Sequence, residues 1–486
     1  MTKLDFELVI IGAGVAGINA AYRFQSEGPK DMTYAVLESR DSIGGTWDLF
    51  KYPGIRSDSD IFTFGFEWSP WKKPEMLAMG PEIKEYMQRC AAENGMDKHI
   101  RFRHKATAAN WNSKIKRWEL TVCADGDTEN PIFYTTRFIY LGTGYYDYEQ
   151  PLEAIIPGID KFQGKVIHPQ FWPSDYDYTR KEMVVIGSGA TAITIVPSVA
   201  ERVKHVTMLQ RSPAYVVPLP NRSLLVVVLF KLFPRRMAHW INRWIWIIQV
   251  YALIQICGVA PGLVRRYVRL ENEKHLPPAV RWNPHFNPRY NPWEQRMCVS
   301  KDGDLFAALR SGKASVVTDT IDSVTENSIK LTSGQELHPD VIVTATGLRL
   351  LFGGGIKFTL DGEELSVAGR FLWRAGMLQD IPNLFFTIGF ENASWTLGCD
   401  CAAYIMVRVI KQISSANCAF AYPYMGKKQA ESMPLYPHFT LKATYLNGVH
   451  EKMPKGGTGV WAPRGNYMKG LLEAKYGDIK TDLIME

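Results

Sequence analysis

A chain of 486 residues with an apolar share of 46% and a net charge of +7 has room for two or three domains and the composition of a soluble globular protein. The mild basic excess shows no clustered basic footprint, which argues against nucleic acid and favours anionic cofactors or lipid headgroups. The seven cysteines are scattered and odd in number, and Cys399 and Cys401 have no histidine near them, so a reducing cytosol is expected, with neither disulfide framework nor metal site.

The first strand starts almost at once, so no signal peptide is expected. Residues 9–11 form a β-branched run that reads as a buried parallel strand, and a helical run follows from Val15 to Arg23. Gly12, Gly14 and Gly17 stand at G-x-G-x-x-G spacing in the turn between them. The first glycine permits the tight turn, the second lets backbone approach a pyrophosphate, and the third brings helix against strand. Phosphates then lie at the helix N-terminus, at Val15. A second strand over 33–37 ends at Glu38, about 20 residues on, where an acid meets a ribose hydroxyl.

Next come Gly44, Gly45, Thr46 and Trp47, either a plain turn or a close approach to a second phosphate or a flat ring. The charged loop 52–60 is stiffened by Pro53, and its Asp58 is either solvated or a buried carboxylate that needs a cation. Residues 81–95 read as a helix. Residues 100–123 alternate as an antiparallel layer around Trp111 and Trp118, and Ala106 in this layer is a further cofactor-side candidate. Residues 138–144 form a buried strand ending in glycines that returns to the first sheet.

After a Pro- and Gly-containing linker over 151–158, the strand 182–186 enters a second dinucleotide turn. It comprises Gly187, Ser188, Gly189, Ala190, Thr191 and Ala192, with alanine at the third small position. The strand 205–210 ends in Arg211 and Ser212, a base where the first fold has an acid, which suits the 2′-phosphate of NADP. Two nucleotide folds imply two nucleotides: FAD in the first, NADPH in the second, with hydride passing from nicotinamide to flavin.

Residues 221–290 break this pattern. Residues 244–264 carry no charge, with Arg235, Arg236 and Arg243 before them and Arg265, Arg266 and Arg269 after. The length would allow a membrane crossing, but one crossing would separate Arg211 from the later strands. Two readings stay open: an interfacial helix making peripheral membrane contact through 221–270, or a lid over a hydrophobic substrate tunnel. Short strands follow at 316–318 and 329–331. A buried strand over 341–347 ends at Gly347 beside the flavin, another lies at 384–389, a helix spans 396–415, and the tail reads as irregular cover. The expected class is α/β with two Rossmann-like dinucleotide-binding domains. An FAD domain spans 1–150 and 350–486, an NADP domain spans 151–220 and 291–349, and 221–290 is a helical hydrophobic insertion.

Phe162, Gly164, His168, Trp172 and Pro173 fit the F-x-G-x-x-x-H-x-x-x-W-P fingerprint, by which the chain resembles the Baeyer–Villiger monooxygenases. Residues 287–299, followed by Gly303, Asp304, Leu305 and Phe306, resemble the branch containing the ethionamide-activating enzyme. The resemblance implies that NADPH reduces FAD and that reduced flavin and O2 form a C4a-peroxide. That species converts a small hydrophobic ketone to an ester or lactone, or oxygenates sulfur or nitrogen. It also implies that Arg296 is the active-site arginine, that Asp58 pairs with it, and that His168 is a hinge residue. Gln295 stands where many relatives have lysine, so Arg211 and Ser212 carry more of the NADP phosphate. A disulfide reductase is disfavoured, because no cysteine precedes Cys90.

Overall fold

Phe6–Ile11 pairs in parallel with Tyr34–Leu37 on one side and with Ile132–Leu141 on the other. These strands belong to a computed structural model that describes residues 4–438, 440 and 453–486. Leu8, Val9 and Ile10 are fully buried, as a continuous apolar run requires when helices and strands cover both faces of a parallel sheet. Leu384–Phe386 adds in parallel at the far end of Ile132–Leu141, and His104–Asn112 and Arg117–Ala124 extend the sheet as an antiparallel layer. Trp111 and Trp118 meet edge to face at 5.6 Å between ring centres and fill the core of that layer. Helix Val15–Glu27 packs against Trp395–Ser415, where buried Arg23 pairs with Asp400 at 2.8 Å and with Glu67 at 2.7 Å.

A second sheet is parallel throughout, in the order Ala314–Thr318, His205–Gln210, Glu182–Ile186, Val341–Thr344, Lys165–Ile167. Its first βα turn runs from Glu182–Ile186 into helix Ala190–Val199. The edge strand Lys165–Ile167 comes from the histidine fingerprint, and Gln170 a few residues on donates to the Asp147 carbonyl at 2.7 Å. The fingerprint therefore ties the second sheet to the segment leaving the first.

Two expectations are corrected. The tail is not all irregular cover: Tyr467–Tyr476 is a helix against Trp395–Ser415, and Ala421–Pro423 pairs with Leu483–Met485. Asn466 caps that helix through Lys469 N, and Arg408 donates to the Glu473, Ala474 and Gly477 carbonyls at its end. Residues 439 and 441–452 lie outside the described part. The uncharged run 244–264 is not one helix, because Arg235–Val259 and Pro261–His275 meet at 114° around Ala260. Pro261 lacks the N–H needed to continue the first helix. No single helix among the described residues is long and apolar enough to cross a membrane.

Candidate active site

Both glycine turns open on one cavity of about 1460 Å³. From the first sheet it is lined by Gly12, Gly14, Val15, Glu38, Gly45, Thr46, Trp47 and Ala106, the last beside a register shift in its strand. From the second it is lined by Gly187, Ser188, Gly189, Ala190, Thr191, Arg211 and Ser212, and by Gly347 beyond Val341–Thr344. Asp58, Gln295 and Arg296 also line it.

Backbone closeness explains the first turn. Gly12 has φ +101°, and a Cβ there would lie 2.6 Å from the Gly142 carbonyl oxygen. A Cβ on Gly14 would sit 3.6 Å from Gly45 Cα, so the two glycine loops touch backbone to backbone and leave a shallow cradle. Gly17 and Ala192, which the sequence places among the expected cofactor-binding residues, do not line the cavity. A Cβ on Gly17 would meet the Gly12 carbonyl oxygen at 1.8 Å, and Ala192 is fully buried, so both act by letting helix lie against strand. Glu38 is 4% exposed, with one carboxylate oxygen accepting from Ala13 N at 2.7 Å and the other from Arg40 N at 2.9 Å. Two backbone N–H groups thus hold the carboxylate at the cavity wall.

At the second turn Ser188 donates to the Ser212 carbonyl at 2.9 Å and so ties the glycine turn to the end of the next strand. A Cβ on Gly189 would meet nothing within 4 Å, so the space over this turn is open. Arg211 is exposed at the cavity and makes no ion pair among the described residues.

Asp58 departs from the expectation of a buried partner for Arg296. It is exposed and makes no ion pair within 4.0 Å among the described residues. The ion pair of its loop belongs to Arg56, which reaches Asp304 at 2.5 Å, and the buried carboxylate of the loop is Asp60, 6% exposed. Asp60 accepts from Thr63 N at 2.8 Å and Thr63 Oγ1 at 2.6 Å, capping helix Ile61–Phe64, while buried Arg243 donates to the Phe62 and Gly65 carbonyls. Burial pushes the Asp60 carboxyl up to about 6 from an ordinary 3.8, partly offset by Thr63 and Arg243. Because the folded value exceeds the unfolded one, folding favours the protonated acid. Its contribution is complete below about pH 4 and lost as pH rises through about 6. Asp60→Asn is expected to raise stability at pH 7 by about 2–3 kcal/mol and leave it unchanged near pH 4, as read from thermal midpoints at both pH values.

Arg296 is exposed to the cavity and donates to the Glu391 carbonyl at 3.4 Å. Two residues later Cys298–Lys301 begins, paired in parallel with Val216–Leu219, and Trp293, at φ +74°, donates from its ring nitrogen to Asn392 at 2.8 Å. The arginine therefore stands on a short loop pinned at both ends. Burial pushes the Cys298 thiol up to about 12, with the Asp58 charge adding to the rise and the Arg296 charge opposing it. His168 does not line the cavity; its Nδ1 accepts from Gln170 N at 3.2 Å.

Several lining residues escaped the sequence reading. Tyr145 stacks on Trp395 at 4.3 Å and lies 4.1 Å from Tyr146, and Tyr148 and Thr46 share a hydrogen bond at 3.0 Å. The aromatic cluster directly after Gly144 was a usable signal for the tyrosines. Nothing local marks Trp395, which reaches the cavity only because its helix packs there. Among the described residues no group of three histidine, cysteine or acidic side chains is placed to hold a metal.

Two sheets, each with a parallel nucleotide-type core and a glycine turn on one shared cavity, define a two-dinucleotide flavoprotein architecture. Residues 70–242 match the flavin-binding monooxygenase-like family, and residues 10–77 match the NAD(P)-binding Rossmann-like domain. The chain is 41% identical to the FAD-containing monooxygenase EthA of Mycolicibacterium smegmatis, covering 98% of this chain and 96% of that one. It is 39% identical to the probable FAD-binding monooxygenase AlmA of Acinetobacter baylyi, covering 97% and 95%. Among solved structures, OTEMO in complex with FAD and NADP superposes over 100% of both chains with TM-score 0.75 at 20% identity. Oxidized steroid monooxygenase bound to NADP covers 99% of both at 0.74 and 20%. The chain belongs to the FAD-containing monooxygenase family.

Proposed function

We propose that the chain is an NADPH- and O2-dependent Baeyer–Villiger monooxygenase that converts hydrophobic ketones to esters or lactones. The observation that carries this reading is the convergence of both glycine turns, Glu38, Arg211 and Arg296 on a single cavity. The residues fit the two nucleotides. FAD would lie over the Gly12–Gly14 turn with its phosphates at the Val15 end of the helix, its ribose on Glu38, and Gly45, Thr46, Trp47 and Ala106 around it. NADPH would lie over Gly187–Ala190 and Thr191, with its 2′-phosphate on Arg211 and Ser212. On this reading residues 1–150 and 350–486 are the FAD domain, 151–220 and 291–349 the NADP domain, and 221–290 the insertion between them. Bound FAD, once reduced by NADPH, supplies the activation of O2.

The protein's own part is positioning and charge. Negative charge gathers on the ketone oxygen as it is attacked, and a fixed guanidinium at Arg296 lowers that barrier as an oxyanion donor does. Asp58 would bias the guanidinium through space across the cavity, not as a contact pair. Oxygenation of sulfur or nitrogen is the second reading; the cavity is the same, but no oxyanion forms on the substrate. The reading includes a cytoplasmic setting with peripheral membrane contact through 221–270, which the exposed apolar side chains of that segment support.

Turnover tests the proposal. With NADPH, O2 and a cyclic ketone, the holoenzyme is expected to form lactone, one per NADPH consumed, as followed by gas chromatography. Arg211→Gln is expected to lower kcat/KM for NADPH roughly 10- to 100-fold, the value of a charged hydrogen bond, and to leave NADH unchanged. Absence of any oxygenated product, or an unaltered preference for NADPH, would refute it.

A further inference from the structure

Helix Arg235–Val259 exposes large apolar side chains while it buries polar ones beside Ala238, Ile247 and Cys257. Its buried side carries His239, Asn242 and Arg243, each no more than 2% exposed. Its outer stripe is apolar: Trp240 is 56% exposed, Ile248 54% and Val259 83%, with Met237 and Tyr251 in the same row. Steps of three, eight, three and eight residues along 237, 240, 248, 251 and 259 keep these side chains on one face at 3.6 residues per turn. The helices on either side continue it, with Leu224 80% and Leu232 70% exposed before, and Leu263 67% and Tyr267 59% exposed after the 114° corner. Water is a poor solvent for such a face, and a patch this extended marks an interaction surface.

Charge indicates the partner. From Leu224 to Leu270 there is no acidic residue, and there are seven lysines and arginines. Four of them, Lys231, Arg235, Arg236 and Arg266, are exposed and make no ion pair among the described residues. Two copies of this chain joined through the face would set these cations against each other. Anionic headgroups would neutralise them while the apolar row enters the acyl boundary. The inner side of the same corner leads to the cavity: Cys257, Val264 and Val268 cluster with Tyr290, Trp293 and Met297, of which Tyr290 and Met297 line the site.

We infer that the helical corner of residues 224–270 docks on an anionic bilayer surface and that apolar substrate reaches the cavity from that lipid. The docking rests on the helices alone, and the delivery rests on the proposed monooxygenase reading.

The test uses FAD-loaded enzyme and vesicles of phosphatidylcholine with and without phosphatidylglycerol. Co-sedimentation is expected with the anionic vesicles, roughly tenfold weaker with pure phosphatidylcholine, and weakened again by high salt. The triple variant Trp240→Asp, Val259→Asp, Leu263→Asp and, separately, Arg235→Glu with Arg236→Glu should each lose binding roughly tenfold or more. FAD content and turnover of a small water-soluble ketone should be unchanged in both. Oxidation of a long-chain ketone held in vesicles should fall in both variants by the same factor as binding. Wild-type enzyme that ignores anionic vesicles, or variants that bind as wild type does, would overturn the docking. So would a concentration-dependent dimer in sedimentation velocity that the same variants abolish, since a second copy would then cover the face. Equal oxidation of vesicle-held ketone by wild type and variants would overturn delivery alone. Vesicle binding without turnover of any ketone would defeat the functional reading and leave the docking standing.

Discussion

Arg296→Ala is expected to keep its FAD and go on oxidising NADPH, yet to form ester from ketone at roughly a hundredth to a thousandth of the wild-type rate. Arg296 faces the cavity from a loop pinned by the strand Cys298–Lys301 on one side and by the Trp293–Asn392 hydrogen bond on the other. None of the groups proposed to hold FAD is touched by the change. What is lost is a positive charge fixed where negative charge gathers, worth about 3–4 kcal/mol once bound nucleotides and ketone fill the cavity around it. Arg296→Lys should recover part of the rate, because it keeps the charge but loses the planar fork of donors. The quantity to measure is product formed per NADPH consumed, in parallel for a ketone and an aryl sulfide. Sulfur attacks directly and leaves no oxyanion on the substrate, so sulfoxide yield should fall far less than ester yield. Wild-type ester yield from Arg296→Ala would remove the arginine from the proposed chemistry.

Gly17→Ala is expected to yield protein that emerges from gel filtration with little or no flavin and a markedly lower thermal midpoint. A methyl group there would stand 1.8 Å from the Gly12 carbonyl oxygen and 2.9 Å from its carbon. No flexible side-chain tip is available to yield, so helix Val15–Glu27 must shift away from the turn that it closes. Overpacking in a core usually costs about 1–3 kcal/mol, and here the displaced atoms are backbone. The glycine binds nothing itself; its smallness brings the helix N-terminus to the phosphates. Gly258→Ala is the control: a Cβ there meets nothing within 4 Å, and the change should leave flavin content alone while favouring its helix by about 0.5–1 kcal/mol. Flavin-to-protein absorbance ratios and melting curves decide between the two outcomes.

The two dinucleotide turns were legible because each is local. Strand, glycines, helix and the acid or base ending the next strand fall within some thirty residues, and backbone sterics alone set their roles. The fingerprint around His168 was legible as a contiguous string, but nothing in that string specifies that its Lys165–Ile167 segment pairs as the edge strand beside Val341–Thr344. Asp58 shows where such reading stops. A loop holding Arg56, Asp58 and Asp60 offers several charges, and packing chose among them: Arg56 took Asp304, Asp60 went under helix Ile61–Phe64, and Asp58 stayed in the open. Trp395 was invisible for the same reason, since it comes to the cavity from about 250 residues beyond Tyr145 in the chain.

Sequence by itself determined the number of nucleotide folds, the acid at Glu38 and the base at Arg211, because those properties are written in neighbouring residues. It also determined that residues 244–264 avoid charge. Only the tertiary structure decided that the run breaks at Ala260 and turns its apolar row outward while His239, Asn242 and Arg243 go inside. Helical periodicity specifies which side chains share a face, and the surface that meets the helix specifies which face is covered.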